Sequence, residues 1–293
     1  MICSTFVAFN TAQALEICGD LKQGELILIK NDANRFVKLY SGDSIKKLSD
    51  TEYTPKNSKN YMSTKDGITL MALHRDTPPV ITIGTYPGTD AGTLYELQIE
   101  PAVWDIQKIN GVSQSKVTPT SKTDLKEIER ERRELGRAIT YKKAGNAWRN
   151  GFILPIEGRI SGHFGNQRIF NGVPKSPHTG VDIAAPEGTP VKASGDGVVI
   201  LSGKDYFYTG NMVVIDHGQS LQTIYAHLKK AAVKEGDTVN KGDIIGYVGK
   251  TGRATGPHLH WGASLNNVRF RPHSLLDINE KSCRTVNGQY MGE

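Results

Sequence analysis

The sequence predicts a mainly β protein: a small N-terminal antiparallel β domain, a connecting helix and a C-terminal domain built on an antiparallel β-sheet. Short runs rich in β-branched and aromatic residues recur in both halves, separated by clusters of Gly, Pro, Asp and Asn. Between the halves lies a charged stretch whose apolar residues have helical spacing. With 293 residues, 38% apolar and 23% charged, the chain has an ordinary globular composition and the length of two domains.

Residues 1–14 are interpreted as the remnant of a secretory signal peptide. The stretch is apolar and ends in Ala12-Gln13-Ala14, an A-x-A cleavage pattern, although it lacks a basic n-region. A short N-terminal strand is the alternative. Cleavage after Ala14 would leave Cys18 and Cys283, an even pair that can form a disulfide in an exported chain, and the sequence leaves their pairing open. We expect a periplasmic or otherwise exported protein, with no run approaching the roughly 18 apolar residues of a membrane span.

Residues 19–117 are predicted to form the N-terminal β domain. The predicted strands, each bounded by turn-forming residues, cover 25–29, 67–73, 80–84 and 93–99.

Residues 118–150 are predicted to form a helical linker. Thr123 or Asp124 is expected to cap a helix that runs to about residue 141. Its apolar residues form a narrow stripe among charged ones, made of Leu125, Ile128, Leu135, Ala138 and Ile139. Such a stripe favours a helix that lies on one domain, and a helix that binds a partner is the alternative. Beyond it, residues 151–278 return to short strands with many glycines, which favour tight turns, and 279–293 are expected to form a C-terminal tail.

Two segments of the C-terminal region carry residues typical of a metal site, His178-Thr-Gly-Val-Asp182 and His258-Leu-His260. A catalytic zinc ion usually takes three ligands from His, Asp, Glu and Cys and keeps a fourth position for water. Two histidines and one carboxylate can supply these ligands, with one histidine to spare. Four extended residues span about 13 Å, whereas two ligands of one zinc ion lie at most about 4 Å apart. A bend is therefore expected between His178 and Asp182, and Gly180 can supply it, although long side chains that lean together would absorb part of the gap.

The alternation of side chains along two predicted strands places further groups. His258 and His260 are expected on one face of their strand, because they are two residues apart, with apolar neighbours on the other face. The same alternation predicts that His227 faces a cleft. The cleft side of that strand is expected to carry Thr223, Tyr225 and His227, and the core side Ile224, Ala226 and Leu228.

The remaining histidines do not share this spacing. His74, His217 and His273 are interpreted as structural, since each lies in a turn or at the end of a predicted element. His163 lies between glycines on the approach to the metal segment, and both a structural role and a role in a substrate groove stay open for it.

Residues 151–272 resemble the catalytic domain of the M23 (LytM or lysostaphin-like) zinc metallopeptidases, which cut peptide bonds in bacterial peptidoglycan. The resemblance rests on five ordered motifs: FGNQR at 164–168, HTGVDIAAPEGTP at 178–190, GNMVVIDHG at 210–218, YAHL at 225–228 and GKTGRATGPHLHWG at 249–262. It implies one zinc ion per chain, bound by His178, Asp182 and His260. It also implies that His227 and His258 flank the activated water and the scissile carbonyl. No position in these motifs departs from the active pattern.

The chain contains no His-Glu-x-x-His motif, so the general-base glutamate of thermolysin-like enzymes has no obvious counterpart. A histidine must do that work. We expect His258 to be the general base and His227 to hydrogen-bond the oxyanion or protonate the leaving amine, and the two roles can be exchanged.

The expected function is therefore zinc-dependent hydrolysis of peptide cross-links in peptidoglycan, with the D-alanyl–diaminopimelate bond as first choice. The alternatives are a LytM-type regulator without catalysis that activates a cell-wall amidase, and a wall-binding module. A net charge of +6 suits an anionic wall partner, although a solvated surface also explains it, and no basic helix with interleaved aromatic residues favours nucleic acid. The expected partners are peptidoglycan peptide stems, and the oligomeric state stays open.

Overall fold

The computed structural model describes residues 14–30, 36–40, 59–62, 67–86, 92–141 and 145–291, so the expected signal-peptide remnant before Ala14 lies outside the described residues. The strands in these ranges are β1 (Ala14–Cys18), β2 (Leu26–Lys30), β3 (Phe36–Tyr40), β4 (Lys59–Met62), β5 (Ile68–Ala72), β6 (Val80–Tyr86), β7 (Gly92–Gln98), β8 (Ile106–Ile109), β9 (Arg159–Gly162), β10 (Gln167–Phe170), β11 (Val173–Pro174), β12 (Gly180–Ala184), β13 (Pro190–Lys192), β14 (Gly197–Tyr206), β15 (Gly210–Asp216), β16 (Leu221–Ala231), β17 (Thr238–Val239), β18 (Ile244–Val248), β19 (His258–Leu265), β20 (Val268–Phe270), β21 (Cys283–Asn287) and β22 (Gln289–Met291). The α-helices are α1 (Gln114–Val117) and α2 (Lys122–Ile139), and short 3₁₀ helices cover Ala147–Asn150 and Pro272–Leu275.

The mainly β class is confirmed, and the strands predicted in the N-terminal half correspond to β2, β5, β6 and β7. Part of the chain forms a four-stranded sheet in the order β21-β1-β2-β5 and a five-stranded sheet in the order β22-β7-β6-β3-β4. A three-stranded sheet, β11-β10-β8, pairs a strand from the N-terminal half in parallel with β10. Within the described residues, no helix is both long and apolar enough to cross a membrane.

A ten-stranded sheet forms the C-terminal half, with the main order β17-β14-β15-β16-β19-β12-β9 and β13, β18 and β20 attached to it. His260 is in register with Asp182 on β12 and with Ala226 on β16. Because paired residues of neighbouring strands point to the same side of a sheet, these three side chains define one face, here called the site face. Val181, Leu259 and Trp261 alternate with them on the opposite, apolar face and are almost completely buried.

The apolar face shares one hydrophobic core with the four-stranded N-terminal sheet. Ile17, Ile27 and Met71 of that sheet belong to the same buried cluster as Leu265 and Phe270. Hydrogen bonds also link the N-terminal sheet to the C-terminal half. Ser274 Oγ donates to the buried carboxylate of Glu25 at 2.5 Å and accepts from the backbone N–H of Leu26 at 2.9 Å. The two halves of the chain are therefore packed together, and we keep the boundaries expected from the sequence only as a proposal.

The segment expected to be a C-terminal tail forms strands instead. β21 pairs with β1 in a register that sets Cys283 opposite Cys18, and a disulfide links these two cysteines across 265 residues of chain. β22 pairs with β7. The physical reason is that the edges of two N-terminal sheets offer unpaired backbone N–H and C=O groups, which these strands satisfy.

Helix α2 packs on the site face. Its last residues, Ala138 and Ile139, lie in a buried cluster with Met212, Val214 and Ile224 of the large sheet, as the narrow apolar stripe predicts. The expected cap at Thr123 or Asp124 is wrong, because the extended residue Ser121 is the N-cap and its side chain accepts from the backbone N–H of Asp124 at 3.4 Å.

Candidate metal centre

His178, Asp182 and His260 meet on the site face. One oxygen of Asp182, Oδ1, lies 3.1 Å from His178 Nε2 and 3.0 Å from His260 Nδ1. The two ring nitrogens are themselves 2.9 Å apart. All three atoms lie within 4.8 Å of one another, a spacing at which one metal ion can bind them together. The structure therefore brings together the three residues that the sequence resemblance implies as ligands.

The tautomer of His178 prepares it for a metal. Its Nδ1–H donates to the backbone carbonyl of His163 at 2.9 Å, and because a carbonyl only accepts, Nε2 keeps its lone pair. Burial lowers the pKa of His178, and it lowers the pKa of His260 to about 4, so both rings are neutral at pH 7. Two neutral imidazoles and a carboxylate are a donor set that zinc takes in catalytic sites, so the residues fit this ion.

Gly180 leaves room for the ring of His260, because it has no side chain. The bend expected at this residue does not lie there. It opens β12 in register with Gly262. A Cβ at this position would lie 2.5 Å from the carbonyl oxygen of Trp261 and 2.8 Å from the ring of His260. His178 instead turns inward just before the strand, where its backbone N–H donates to the carbonyl of Asn166 at 2.9 Å.

Asp182 is held in its charged form by the two histidines and by Arg168, to which the sequence assigned no role. Burial alone would raise the pKa of this carboxyl, but His178, His260 and Arg168 outweigh burial and hold it well below its usual range. The guanidinium of Arg168 forms an ion pair with Asp182 Oδ2. On its other side, Arg168 Nε donates to Gln107 Oε1 at 3.2 Å, and Gln107 Nε2 donates to the carbonyl of Ser161 at 2.9 Å. A residue from the N-terminal half thus supports the centre through Arg168.

His227 reaches the centre through an irregularity in its strand. Its φ of +62° is rare for a non-glycine residue and interrupts the alternation of β16. Leu228 therefore packs in the same cluster as Tyr225, and His227 lies on the site face with its ring centre 4.7 Å from that of His258. The expectation that His227 shares a side with Thr223 and Tyr225 is wrong, and so is the placement of Leu228 opposite them.

His227 and His258 are oriented in the same way. His227 Nδ1–H donates to the carbonyl of Thr251, and His258 Nδ1–H donates to the carbonyl of Gly256, both at 2.8 Å. Each ring therefore keeps a lone pair on Nε2. His258 Nε2 lies 3.8 Å from Asp182 Oδ1. Burial, followed by the influence of His258 and His260, lowers the pKa of His227 to about 3.

The other histidines lie outside this cluster. His217 is completely buried, with Nδ1 hydrogen-bonded to the carbonyl of Asp196 at 2.6 Å and Nε2 to Thr223 Oγ1 at 2.7 Å. His74 accepts in an exposed turn, and His273 packs against Trp261. All three positions agree with a structural role. The side chain of His163 is exposed, and its place in a groove stays a prediction.

Residues 176–272 match the model of Peptidase family M23. These residues, a third of the chain, carry a peptidase M23 domain. The matched range contains all five residues of the cluster, and the match to a metallopeptidase domain implies a bound metal ion. This confirms the resemblance read from the five motifs.

The relatives include peptidases with named activities. The chain is 40% identical over 157 residues to the peptidoglycan DD-endopeptidase ShyA of Vibrio cholerae, covering 52% of this chain and 36% of ShyA. It is 50% identical over 98 residues to the DD-carboxypeptidase/endopeptidase Mpg of Neisseria meningitidis, covering 33% of this chain and 22% of Mpg. The match thus spans about a third of ShyA and less of Mpg. A crystal structure of a peptidase M23 from Pseudomonas aeruginosa matches with a TM-score of 0.64 and 27% identity, covering 88% of this chain and 96% of that chain.

Proposed function

We propose that this protein is a zinc-dependent endopeptidase that hydrolyses peptide cross-links of bacterial peptidoglycan outside the cytoplasm, in the periplasm, after removal of an N-terminal signal. The observation that carries the proposal is the convergence of His178 Nε2, Asp182 Oδ1 and His260 Nδ1 beside two further histidines. The name of ShyA, a peptidoglycan DD-endopeptidase, supports peptidoglycan as the substrate. Within it, we propose the D-alanyl–diaminopimelate bond.

His178, Asp182 and His260 would hold one zinc ion. When bound, zinc supplies a Lewis acid that polarises the scissile carbonyl and lowers the pKa of a water molecule toward neutrality. Arg168 stabilises the carboxylate of Asp182 from the side away from the histidines, through Oδ2. The carbonyl of His163 fixes the ring of His178, as outer partners of metal-binding histidines commonly do.

His258 is the proposed general base. Its Nδ1–H is committed to the carbonyl of Gly256, so Nε2 can take a proton from the attacking water and later give it to the leaving amine. His227 also presents a lone pair at Nε2, so its neutral ring accepts a hydrogen bond from the nucleophile or from a substrate N–H. Donation by His227 to an oxyanion requires the imidazolium form, which burial disfavours.

The test is incubation of the protein with cross-linked sacculi, with and without a chelator, followed by mass spectrometry of the released fragments. We expect loss of cross-linked dimers that depends on the metal, and new amino termini that name the cleaved bond. His258→Ala should keep its zinc and lose turnover by about 10²- to 10⁴-fold, the usual contribution of a general base. Intact dimers in the presence of one bound zinc ion per chain would contradict the proposal and favour an amidase-activating regulator.

A further inference from the structure

Arg253 lies in the loop that orients both proposed catalytic histidines. The loop joins β18 to β19, and its carbonyls at Thr251 and Gly256 accept from His227 and His258. Arg253 falls between these two carbonyls in the chain, and its backbone N–H donates to the carbonyl of Tyr208 at 2.8 Å. This loop therefore brings a guanidinium to the flank of the metal centre.

The guanidinium of Arg253 is enclosed by two aromatic rings. It lies 4.4 Å from the ring centre of Phe170 and 4.4 Å from that of Tyr208. This arrangement restricts the side chain and removes part of its hydration. Burial is the main cause that lowers the pKa of Arg253. The guanidinium nevertheless stays charged, because its ordinary pKa is very high.

The donors of this guanidinium remain available. Among the described residues, no carboxylate or carbonyl accepts a hydrogen bond from its side-chain nitrogens, although arginine carries five N–H donors. The side-chain nitrogens of Arg253 are not fully buried, so they reach the solvent. A half-buried cation with free donors is suited to an anion that enters from solution.

Neighbouring cations are already engaged. Arg168 lies against the same Phe170 ring, 5.9 Å from its centre, but it pairs with Asp182. Lys116 donates to the carbonyl of Phe207 at 2.7 Å. Both oxygens of Glu131 accept from the backbone N–H of Phe207 at 2.8 Å, so this carboxylate is occupied too. Of these groups, Arg253 is the one whose charge is directed at no described partner.

The aromatic walls are held from outside the strands of the metal centre. Lys116 and Glu131 fix the backbone of Phe207, next to Tyr208, from the segment that includes α1 and α2. Phe170 is 3% exposed and packs with Val117 of α1. The position of Arg253 is therefore built by three separated parts of the chain and does not depend on one flexible loop.

We propose that Arg253 forms a carboxylate-binding subsite that selects substrates with a free carboxylate beside the scissile bond. This rests on the function proposed above. A diaminopimelate residue joined to D-alanine through one amine keeps a free carboxylate on the carbon that carries this amine. The planar fork of arginine matches such a group with two parallel hydrogen bonds, and partial dehydration between two rings strengthens them.

The experiment compares two cross-linked peptides that differ only in this carboxylate, one free and one converted to the amide. The zinc-loaded protein is compared with the variants Arg253→Gln and Arg253→Lys, with zinc content and thermal unfolding as checks of the fold. The measured quantity is the ratio of kcat/KM for the carboxylate form to that for the amide form. We expect a ratio of about 10 to 100 for the natural protein, a value near one for Arg253→Gln and an intermediate value for Arg253→Lys.

A matched control removes another arginine that stacks on an aromatic ring. Arg149 lies 4.7 Å over Trp148, which packs in the core shared with the N-terminal sheet. Arg149→Gln should keep the ratio of the natural protein. A ratio near one for the natural protein, or an unchanged ratio in Arg253→Gln, would overturn the subsite.

Equilibrium binding of the same two peptides separates this inference from the proposed function. If the natural protein cleaves neither peptide, the endopeptidase proposal fails, and the affinities then test the subsite alone. Tighter binding of the carboxylate form that is lost in Arg253→Gln supports the subsite. Equal affinities of the natural protein for both peptides contradict it.

Discussion

His217 and His227 lie only ten residues apart, and both are buried, yet the sheet uses them differently. Both ring nitrogens of His217 are hydrogen-bonded inside the protein, to the carbonyl of Asp196 and to Thr223. His227 has one such bond, and no described residue hydrogen-bonds its Nε2. The difference comes from the backbone, because the φ of +62° at His227 moves its ring to the site face. A histidine satisfied on both sides stabilises the fold, whereas one satisfied on one side is ready for chemistry.

The largest expected effect is a separation of activity from stability between these two residues. His227→Ala should lose about 10²- to 10⁴-fold in turnover and keep its zinc, because a group beside the reacting atoms is removed. His217→Ala should lose about 1–3 kcal/mol of unfolding free energy, because buried polar partners are left unpaired, and should keep its turnover when folded. Peptide cleavage and chemical denaturation measure the two quantities. The comparison breaks down if folded His217→Ala loses as much turnover as His227→Ala.

A second prediction concerns Gly180, whose lack of a side chain leaves room for the ring of His260 on the site face. Gly180→Ala should displace His260 and destabilise the protein by about 1–3 kcal/mol, because the new Cβ would lie 2.5 Å from the carbonyl of Trp261. Zinc affinity should fall with it. Gly136→Ala is the control, since a Cβ there meets nothing within 4 Å and the residue lies within α2. That change should raise stability by about 0.5–1 kcal/mol. Unchanged zinc affinity in Gly180→Ala would contradict the prediction.

The pH dependence of the unfolding free energy tests the structural role of His217 in this comparison. Burial lowers the pKa of His217 to about 4, below its usual 6.5. As the pH falls, the unfolded chain therefore takes up this proton before the folded one, and the folded state loses up to about 3 kcal/mol between pH 6.5 and 4. Above pH 6.5 the residue contributes no pH dependence. His217→Asn should flatten the slope of unfolding free energy against pH in this window, and equal slopes in both proteins would refute the assignment.

The smallest expected effect concerns Gln107, which reaches the metal centre through Arg168. Gln107→Ala should weaken zinc binding by about tenfold, because Arg168 loses the partner that orients it against Asp182. Competition with a chromogenic chelator measures the affinity. Gln98→Ala removes an exposed glutamine of β7 whose side chain donates to nearby Glu96, and it should leave zinc binding unchanged. A loss of equal size in both variants would point to a general effect on the fold.

The sequence predicts the parts of this molecule that depend on local pattern. Alternation places His258 and His260 on one face, and the composition of short runs finds β2, β5, β6 and β7. Residue types and spacing predicted a metal site with one histidine to spare, and the resemblance to M23 peptidases singled out His178, Asp182 and His260, which the structure brings together. Their role as ligands stays a proposal.

The remaining features depend on contacts that no local pattern encodes. The positive φ of His227 breaks the alternation on which the prediction relied. Gln107 reaches Arg168 only because β8 pairs with β10 across 61 positions of chain. The stacking of Arg253 likewise joins two separate loops and a strand, and nothing in its own segment distinguishes it from a solvated surface arginine.

The pairing of β1 with β21 sets the two ends of the described chain side by side. In topological terms, the polypeptide closes on itself, and the metal-binding half is an insertion between two strands of one sheet. New termini could therefore be opened at an exposed turn elsewhere, with the old ends joined by a short linker, and the order of strands in space would be preserved. Conversely, a chain that stops within the C-terminal half lacks β21, so β1, the first of the described strands, loses its partner.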